Sequence, residues 1–576
     1  MKPKHFLWFT GIWTYPLLVL LFQVIYTEVS KDFIIPELLG ILLVWALPML
    51  FPVIITVTNI ERKQRGQTDF SFGATYGLAE KKEKQSKAYM EAAFPPVPKE
   101  YLSKVPTGLI VGTQKGKYAY CPLEDGNGIN GMVLGNPGSG KSVLLLSWLY
   151  SMLFREDIAQ KAHLQQPAGR AYNFFMVDIK GELFEKLLQI KSAQYIAEQH
   201  KDFVVVQPSN RQSYGWDAFY KIHRPNVSET EFIKAITDIA DALVVPTGSN
   251  PYFSDNAKRI LSGVLYYYAK EGWEFIPIIQ KLTRSPLGEL LSEVVADAEN
   301  KGMGVVLDKL KGFVGKDDNE SIADVETTMK TNLDCYSLPD VQWCLDSNPV
   351  KASPALLSDG ETNMDLAIEE SMLLTYKPLF RLITMQTLRH CESEFHEDDA
   401  RYTCLIFDEA ARIGEINGLD AAMSTLRSKH TALICLFQSI SQFRDIYPKD
   451  KSQTLLNLCE LKVFLSGSGD KDTTDLVSAM AGEYEATKMS YKRKGAFGGK
   501  SDGSYSTERR PIVDAKAMME LREKKQTIAF VYGHYMRVSK LMYFNDPILA
   551  PIINEQKNTH NEVNESEYKR NDNKRV

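Results

Sequence analysis

The sequence predicts a doubly wound α/β body with a helical insertion and an N-terminal membrane hairpin, and three observations predict it. Short, nearly continuous apolar runs recur at 131–134, 174–177, 203–206, 404–407, 433–437, 462–465 and 527–531, bounded by Gly, Pro or Asp. Runs of that length and pattern are what parallel strands buried on both faces look like. The first run leads into a glycine-rich loop ending in Lys141-Ser142, which opens a helical pattern. Two uncharged stretches, 6–26 and 38–58, precede everything else. With 576 residues there is room for several cores. Apolar residues at 44 % and charged residues at 24 % match a globular chain, which excludes global disorder, a collagen-like repeat and a coiled-coil rod.

Taken in order, each uncharged stretch has 21 residues. As a helix it would be about 31 Å long, against about 30 Å of hydrocarbon in a bilayer. A cleavable signal needs a shorter apolar region and a small-residue cleavage site, so a hairpin of two spans is expected. Lys2 and Lys4 precede the first span and Arg62, Lys63 and Arg65 follow the second, while Glu28, Lys31, Asp32 and Glu37 lie between them. By the positive-inside rule both ends face the cytoplasm. Pro16, Pro48 and Pro52 inside the spans are tolerable in bundled helices.

From 61 the chain turns polar, and the Lys/Glu cluster with Pro95, Pro96 and Pro98 reads as a stem. The body follows. Between the strand runs at 203–206 and 404–407, the stretch 226–390 has helical spacing at 232–243, 257–269 and 287–298 and no convincing strand. It is too long for a loop, so an inserted all-α domain is expected. At 487–510, Lys488, Lys492, Arg493, Lys494, Lys500, Arg509 and Arg510 are mixed with Gly, Ser, Tyr491, Phe497 and Tyr505. A solvated hairpin and a flexible basic arm touching nucleic acid both fit that pattern. The polar stretch after Pro551 reads as a disordered tail. The expected organisation is therefore a transmembrane hairpin at 1–60, a stem at 61–105, a nucleotide-binding domain in two parts at 106–225 and 391–550 around the insert 226–390, and the tail 551–576.

The chemistry is sharpest at Gly135-Asn136-Pro137-Gly138-Ser139-Gly140-Lys141-Ser142, a GxxxxGK[ST] loop in the strand–loop–helix context it requires. Glycines let the backbone wrap an anion so that successive N–H groups and the helix dipole point at phosphate. Lys141 would reach the β- and γ-phosphates of ATP, and the Ser142 hydroxyl would ligate Mg²⁺. Cys404-Leu405-Ile406-Phe407-Asp408-Glu409 supplies the complement, a strand ending in two carboxylates. Asp408 is expected to hold the Mg²⁺ shell and Glu409 to polarise the attacking water. Gln438 ends the next strand, as a γ-phosphate sensor or a strand-end cap. Arg427 lies between those strands, as an arginine finger for a neighbouring subunit or a surface ion-pair residue. NKxD, LSGGQ-like and kinase motifs do not occur.

Together these residues resemble the type IV secretion coupling proteins, the TraG/TraD-like membrane ATPases of bacterial conjugation. The resemblance also rests on Phe72-Gly73-Ala74-Thr75-Tyr76-Gly77, Gly108-Leu109-Ile110-Val111-Gly112, Asp178-Ile179-Lys180-Gly181-Glu182, the run 253–261 and Gln438-Ser439-Ile440-Ser441-Gln442. Ser213-Tyr214-Gly215-Trp216-Asp217 departs from the family's Trp-Asn-Pro. The resemblance implies a RecA-like P-loop domain with an inserted all-α domain, assembling as a homo-hexamer on the bacterial inner membrane. It implies further that single-stranded DNA with its relaxase is handed to type IV secretion channel components at the expense of ATP. A receptor for protein effectors is the nearest alternative, and a septal-type chromosomal DNA translocase a more distant one.

Two compositional facts bound these expectations. The 67 Lys+Arg against 72 Asp+Glu leave a net charge of -5, so any nucleic-acid contact must be local. Seven cysteines without a CxxC pair, mostly scattered in apolar runs, read as reduced thiols inside a cytosolic protein.

Overall fold

The computed structural model describes residues 87–123, 127–179, 203–245, 251–315, 320–360, 362–393, 401–416, 418–465, 470–491 and 503–555, with 181, 183, 186 and 187. The apolar stretches 6–26 and 38–58 lie outside them. Among the described residues no helix is long and apolar enough to cross a membrane. Two compact units are present, one of 1–93 with 483–512, the other of 94–482 with 513–576.

The larger unit is built on one sheet of twelve strands. In chain order its strands are β1 (Leu102–Ser103), β2 (Leu109–Gln114), β3 (Lys117–Cys121), β4 (Asn130–Leu134), β5 (Ala171–Asp178) and β6 (Phe203–Val206). The short pair β7 (Gly215–Trp216) and β8 (Lys351–Ala352) forms a separate ladder. Then come β9 (Asn363–Ala367), β10 (Arg401–Phe407), β11 (Thr431–Phe437) and β12 (Leu461–Phe464). Strands β13 (Glu483–Tyr491) and β14 (Gly503–Pro511) belong to the other unit, and β15 (Gln526–Val531) with β16 (His534–Ser539) completes the sheet. The spatial order is β1-β3-β2-β16-β15-β12-β4-β11-β10-β5-β9-β6.

From β12 to β6 every pair is parallel. The apolar runs of the sequence mark six of these seven strands. Leu134 registers with Phe437 on one side and Phe464 on the other, and Phe407 with Cys435 and Val177. The carboxyl ends of β4, β11, β10 and β5 therefore finish along one edge, where ligands bind in open α/β sheets. Helix Lys141–Leu153 returns across one face and is buried along nearly its whole length. Trp148 donates its indole N–H to the Ile110 carbonyl at 2.6 Å and Ser151 its hydroxyl to Gly108 at 2.9 Å, which ties the helix to β2. The Gly108–Gly112 run thus has a packing role beside the loop.

Four expectations are corrected. The run 527–531 is a strand, but β15 pairs antiparallel with β12 and β16, and β2, β3 and β1 extend this antiparallel half. An apolar run reports burial on both faces, which an antiparallel strand inside a mixed sheet also has. The insert 226–390 is not all-α, because β9 lies in the main sheet between β5 and β6. Its sequence Asn-Met-Asp-Leu-Ala has too little β-propensity to announce a strand. The stem is shorter than expected, since Val97, Tyr101 and Val105 are buried in the core of the larger unit. Residues 551–555 are helical, with Ile552 and Ile553 in that core, and the rest of the expected tail lies outside the described residues.

The helical part of the insert holds Glu229–Leu243, Tyr252–Lys270, Phe275–Arg284 and Leu287–Lys301. Ser228 and Glu231 form a capping box at its start. Its two ends meet in the parallel β7–β8 ladder. There Trp216 is buried and donates to Gln386 Oε1 at 2.7 Å, so the segment 213–217 forms the neck of the insert. In the other unit β13 and β14 form an antiparallel hairpin, as one reading of 487–510 expects. Tyr89 and Tyr484 bring their rings to 5.4 Å within that unit. All seven cysteines are free and buried, in line with reduced thiols.

Asp365 sits in the middle of β9, wholly buried, and neither carboxyl oxygen has a hydrogen-bond partner among the described residues. Burial, with the neighbouring Asp178, pushes its carboxyl well above the ordinary 3.8. A raised carboxyl costs stability once the unfolded chain ionises above that value, and the cost grows with pH. Asp365→Asn should therefore raise the thermal midpoint more at pH 8 than at pH 5. Equal midpoint changes at the two pH values would show that Asp365 is not held in its neutral form.

Candidate active site at the carboxyl edge of the parallel strands

Loop 135–142 joins β4 to the helix Lys141–Leu153. Gly135 donates to the Phe437 carbonyl at 3.1 Å and Ser139 to that of Asn136 at 3.0 Å, which closes a tight turn. A Cβ on Gly135 would come within 2.4 Å of Ser139 Oγ and 3.1 Å of Leu465. Gly140 caps the helix at φ 100°, a conformation that excludes side chains. The loop is a cradle of backbone amides at a helix N-terminus, the arrangement that binds anions. Ser139 Oγ points into it buried and without a partner among the described residues. Ser142 follows Lys141 as the second residue of the helix.

Three neighbouring strand ends supply the rest. Lys141 is buried, and its ammonium lies 2.7 Å from Glu409 Oε1. The other oxygen of Glu409 accepts from Gln438 Nε2 at 3.0 Å. Gln438 is itself held by Gln442, whose Oε1 accepts from the Gln438 backbone N–H at 2.9 Å, and Gln442 N donates to the capping hydroxyl of Ser439. The motif 438–442 is thus a brace for one amide side chain. Glu409 adopts φ 50°, so the chain turns sharply as it leaves β10. That turn separates the directions of two successive carboxylates.

The two acids are driven apart electrostatically. Burial pushes Asp408 up to about 6, with Glu409 and Asp178 adding to the effect and Lys141 opposing it. Its Oδ1 has no partner among the described residues. Burial also raises Glu409, but the bond and charge of Lys141 and the bond from Gln438 outweigh it, and Glu409 ends below the ordinary carboxylate value. The two neighbouring carboxyl groups are thus shifted in opposite directions, Asp408 up and Glu409 down. Asp178, at the end of β5, accepts from Leu183 N at 2.8 Å through Oδ2 and adds negative charge beside Asp408.

The structure thus gathers loop 135–142, Asp408, Glu409 and Gln438 at one edge. Gln438 follows the end of β11, and its side chain reaches Glu409. Arg427 is not brought to this edge. It precedes β11 and lies at the amino ends of the strands, where its backbone carbonyl accepts from Gly128 N and its guanidinium lies 3.0 Å from Glu460 Oε1. The sheet separates it from Lys141 of the same chain. Sequence reasoning missed Lys540 and Arg522, which also reach the loop. No motif marks them, because they arrive through the antiparallel half of the sheet.

Residues 171–566, more than half of the chain, match the family described as "Type IV secretory system Conjugative DNA transfer". The chain belongs to that family. Protein VirD4 of Rhizobium rhizogenes is 20 % identical over 384 residues, 66 % of this chain and 55 % of VirD4. The chain spans about half the length of the curated relatives it matches. The unbound bacterial conjugative coupling protein TrwBdeltaN70 aligns over 80 % of this chain and 91 % of its own, with a TM-score of 0.56 and 19 % identity. The plasmid coupling protein TrwB in complex with ADP and Mg²⁺ aligns over 78 % of this chain and 96 % of its own, with a TM-score of 0.55 and 18 % identity. The mixed α/β fold of this family member is that of TrwB.

Because Lys141 and Glu409 are both buried, removing one leaves the other an uncompensated charge. Glu409→Gln should destabilise the nucleotide-free chain by about 3 kcal/mol. Pyrophosphate, which can pair with the freed Lys141, should then raise the midpoint of the variant more than that of the wild type. Equal stabilisation of the two by pyrophosphate would contradict the pair.

Proposed function

We propose that this chain is an ATP-hydrolysing coupling protein that delivers DNA to a type IV secretion channel. One observation carries the chemical part: Lys141, Glu409 and Gln438 converge beside a glycine cradle at adjoining strand ends. The relative TrwB has been solved with ADP and Mg²⁺, and this chain fits both. The orphaned Ser139 Oγ and the amides of the loop suit phosphate. The unpartnered Asp408 Oδ1 and the Ser142 hydroxyl suit a hard cation. Among the described residues no three His, Cys, Asp or Glu side chains could hold a metal alone. When bound, the ion supplies charge neutralisation at the transferred phosphoryl group.

The protein's own residues then divide the work. Lys141 exchanges Glu409 for phosphate oxygens, a trade of one anion for another that leaves its charge compensated. Glu409, so released but still held by Gln438, polarises the attacking water as general base. Arg427, on the far side of the sheet from its own loop, acts on the nucleotide of a neighbouring copy, which calls for a ring, here a homo-hexamer. Stretches 6–26 and 38–58 anchor the chain in the bacterial inner membrane as a two-span hairpin, with both ends cytoplasmic. Single-stranded DNA with its relaxase is the cargo, and secretion-channel proteins are the recipients. The β13–β14 hairpin, which presents exposed Arg509 and Arg510, offers a local basic surface on a chain of net charge -5.

ATP hydrolysis by the full chain should rise with single-stranded DNA and with protein concentration as subunits assemble. Lys141→Ala should abolish it together with DNA transfer, and transfer at the wild-type level in that variant would refute the motor. Glu409→Gln should lower the rate by about a hundredfold or more while ATP still binds. Arg427→Ala should lose about a thousandfold in rate with ATP binding intact. A normal rate for Arg427→Ala in an assembled sample removes that residue from the site. A rate indifferent to DNA points instead to a receptor for protein effectors.

A further inference from the structure

We propose that Lys540 and Arg522 form a second cationic wall of loop 135–142 and hold the polyphosphate of a nucleoside triphosphate from the side opposite Lys141 and Glu409. The inference rests on the reading of that loop as an ATP site.

The antiparallel half of the sheet brings both residues there. Phe464 of β12 registers with Leu134 of β4 and with Ile528 of β15, and Gln526 at the start of β15 registers with Ser539 at the end of β16. The beginning of β15 and the end of β16 therefore share the edge on which β4 ends. Lys540 directly follows β16. Arg522 lies in the last turn of helix Ala515–Glu523, just ahead of β15.

Lys540 Nζ donates to the Ser139 carbonyl at 2.6 Å. Arg522 lies over the next turn of the loop, where a Cβ built on Gly138 would be 3.2 Å from its Nη2. Lys540 also lines a small cleft beside the loop with Gly140, Val143, Leu144 and Thr527. Among the described residues no carboxylate pairs with Lys540 or Arg522. Burial, and then the nearby Arg522, lower the lysine to about 8.

Two cations close enough to disfavour each other, with no anion between them, carry an electrostatic cost that a bound polyanion removes. Lys540 has three donors, so it can keep the Ser139 carbonyl and still offer N–H groups to phosphate. Arg522 is exposed and presents a planar fork suited to phosphate oxygens. A lysine acting only as a brace for the loop would need neither the arginine nor the absence of a carboxylate. Arg522 is the charged group that faces Lys540. Lys540 therefore loses its proton as pH rises through about 8, and phosphate affinity falls with it.

The test is ATP binding by the full chain, followed with a fluorescent ATP analogue at pH 7 and pH 9.5, with thermal unfolding of each variant as the control for folding. Lys540→Met should raise Kd about tenfold at pH 7. Arg522→Ala, at an exposed position that folding does not require, should raise it several-fold. Lys540→Arg should bind like the wild type at pH 7 and lose less affinity at pH 9.5, because its charge does not titrate there. Binding by Lys540→Met and Arg522→Ala within about twofold of wild type, with Lys141→Ala impaired, overturns this inference and leaves the ATP site standing. An identical fall in affinity with pH for wild type and Lys540→Arg also overturns it. A wild-type chain that binds no ATP, or a Lys141→Ala variant that binds it normally, overturns the ATP site as well.

Discussion

The side chains of the site depend on one constraint, that β4 is enclosed between β11 and β12 with all three strands ending level. Leu134 lies opposite Phe437 and Phe464. That register places Gly135 against the Phe437 carbonyl and puts Gln438 one residue beyond the same end. A slip of one residue in a parallel pair would turn alternate side chains to the opposite face. The loop would then lose its closing hydrogen bond, and Gln438 its reach to Glu409. The buried apolar residues of β4, β10 and β11 hold the register, and in this sense the core supports the chemistry directly.

On that frame two buried charges compensate each other. Glu409 pairs with Lys141, so neither the ammonium nor the carboxylate is left alone in the interior. Gln438 keeps the carboxylate in place by an interaction independent of Lys141. Asp408, one residue away, is raised by burial against the pull of Lys141, while Glu409 and Asp178 add negative charge. Adjacent residues thus hold an acid bonded to a lysine and an amide, and a second acid whose Oδ1 has no hydrogen-bond partner among the described residues.

The legible parts of the sequence were those where one local pattern has one structural meaning. The glycines and Lys141-Ser142 after an apolar run require a strand, a turn with positive φ and a helix start, and that is what forms. Asp408 and Glu409 end a strand because the apolar run stops there. Strand β9 was not legible, since Asp365 breaks its apolar pattern and only burial between β5 and β6 makes it a strand. The direction of β15 was not legible either. An apolar strand buried on both faces reads the same whether its neighbours run with it or against it. Polarity alone marks the ends of the stem and the tail, while Val97, Tyr101, Ile552 and Ile553 are held in the core by contacts remote in sequence.

Legible in the residues alone were the glycine-rich loop 135–142, the acidic strand end, six apolar strands, the helical spacing of the insert and the family resemblance. Each of these is a short-range pattern whose physical meaning is complete within about twenty residues. The bond from Gln438 to Glu409, the place of Arg427 at the opposite end of the strands and the approach of Lys540 and Arg522 to the loop arise from long-range packing. Those facts depend on which strand ends share an edge. Strand order is set by the packing of segments hundreds of residues apart, and no local pattern encodes it.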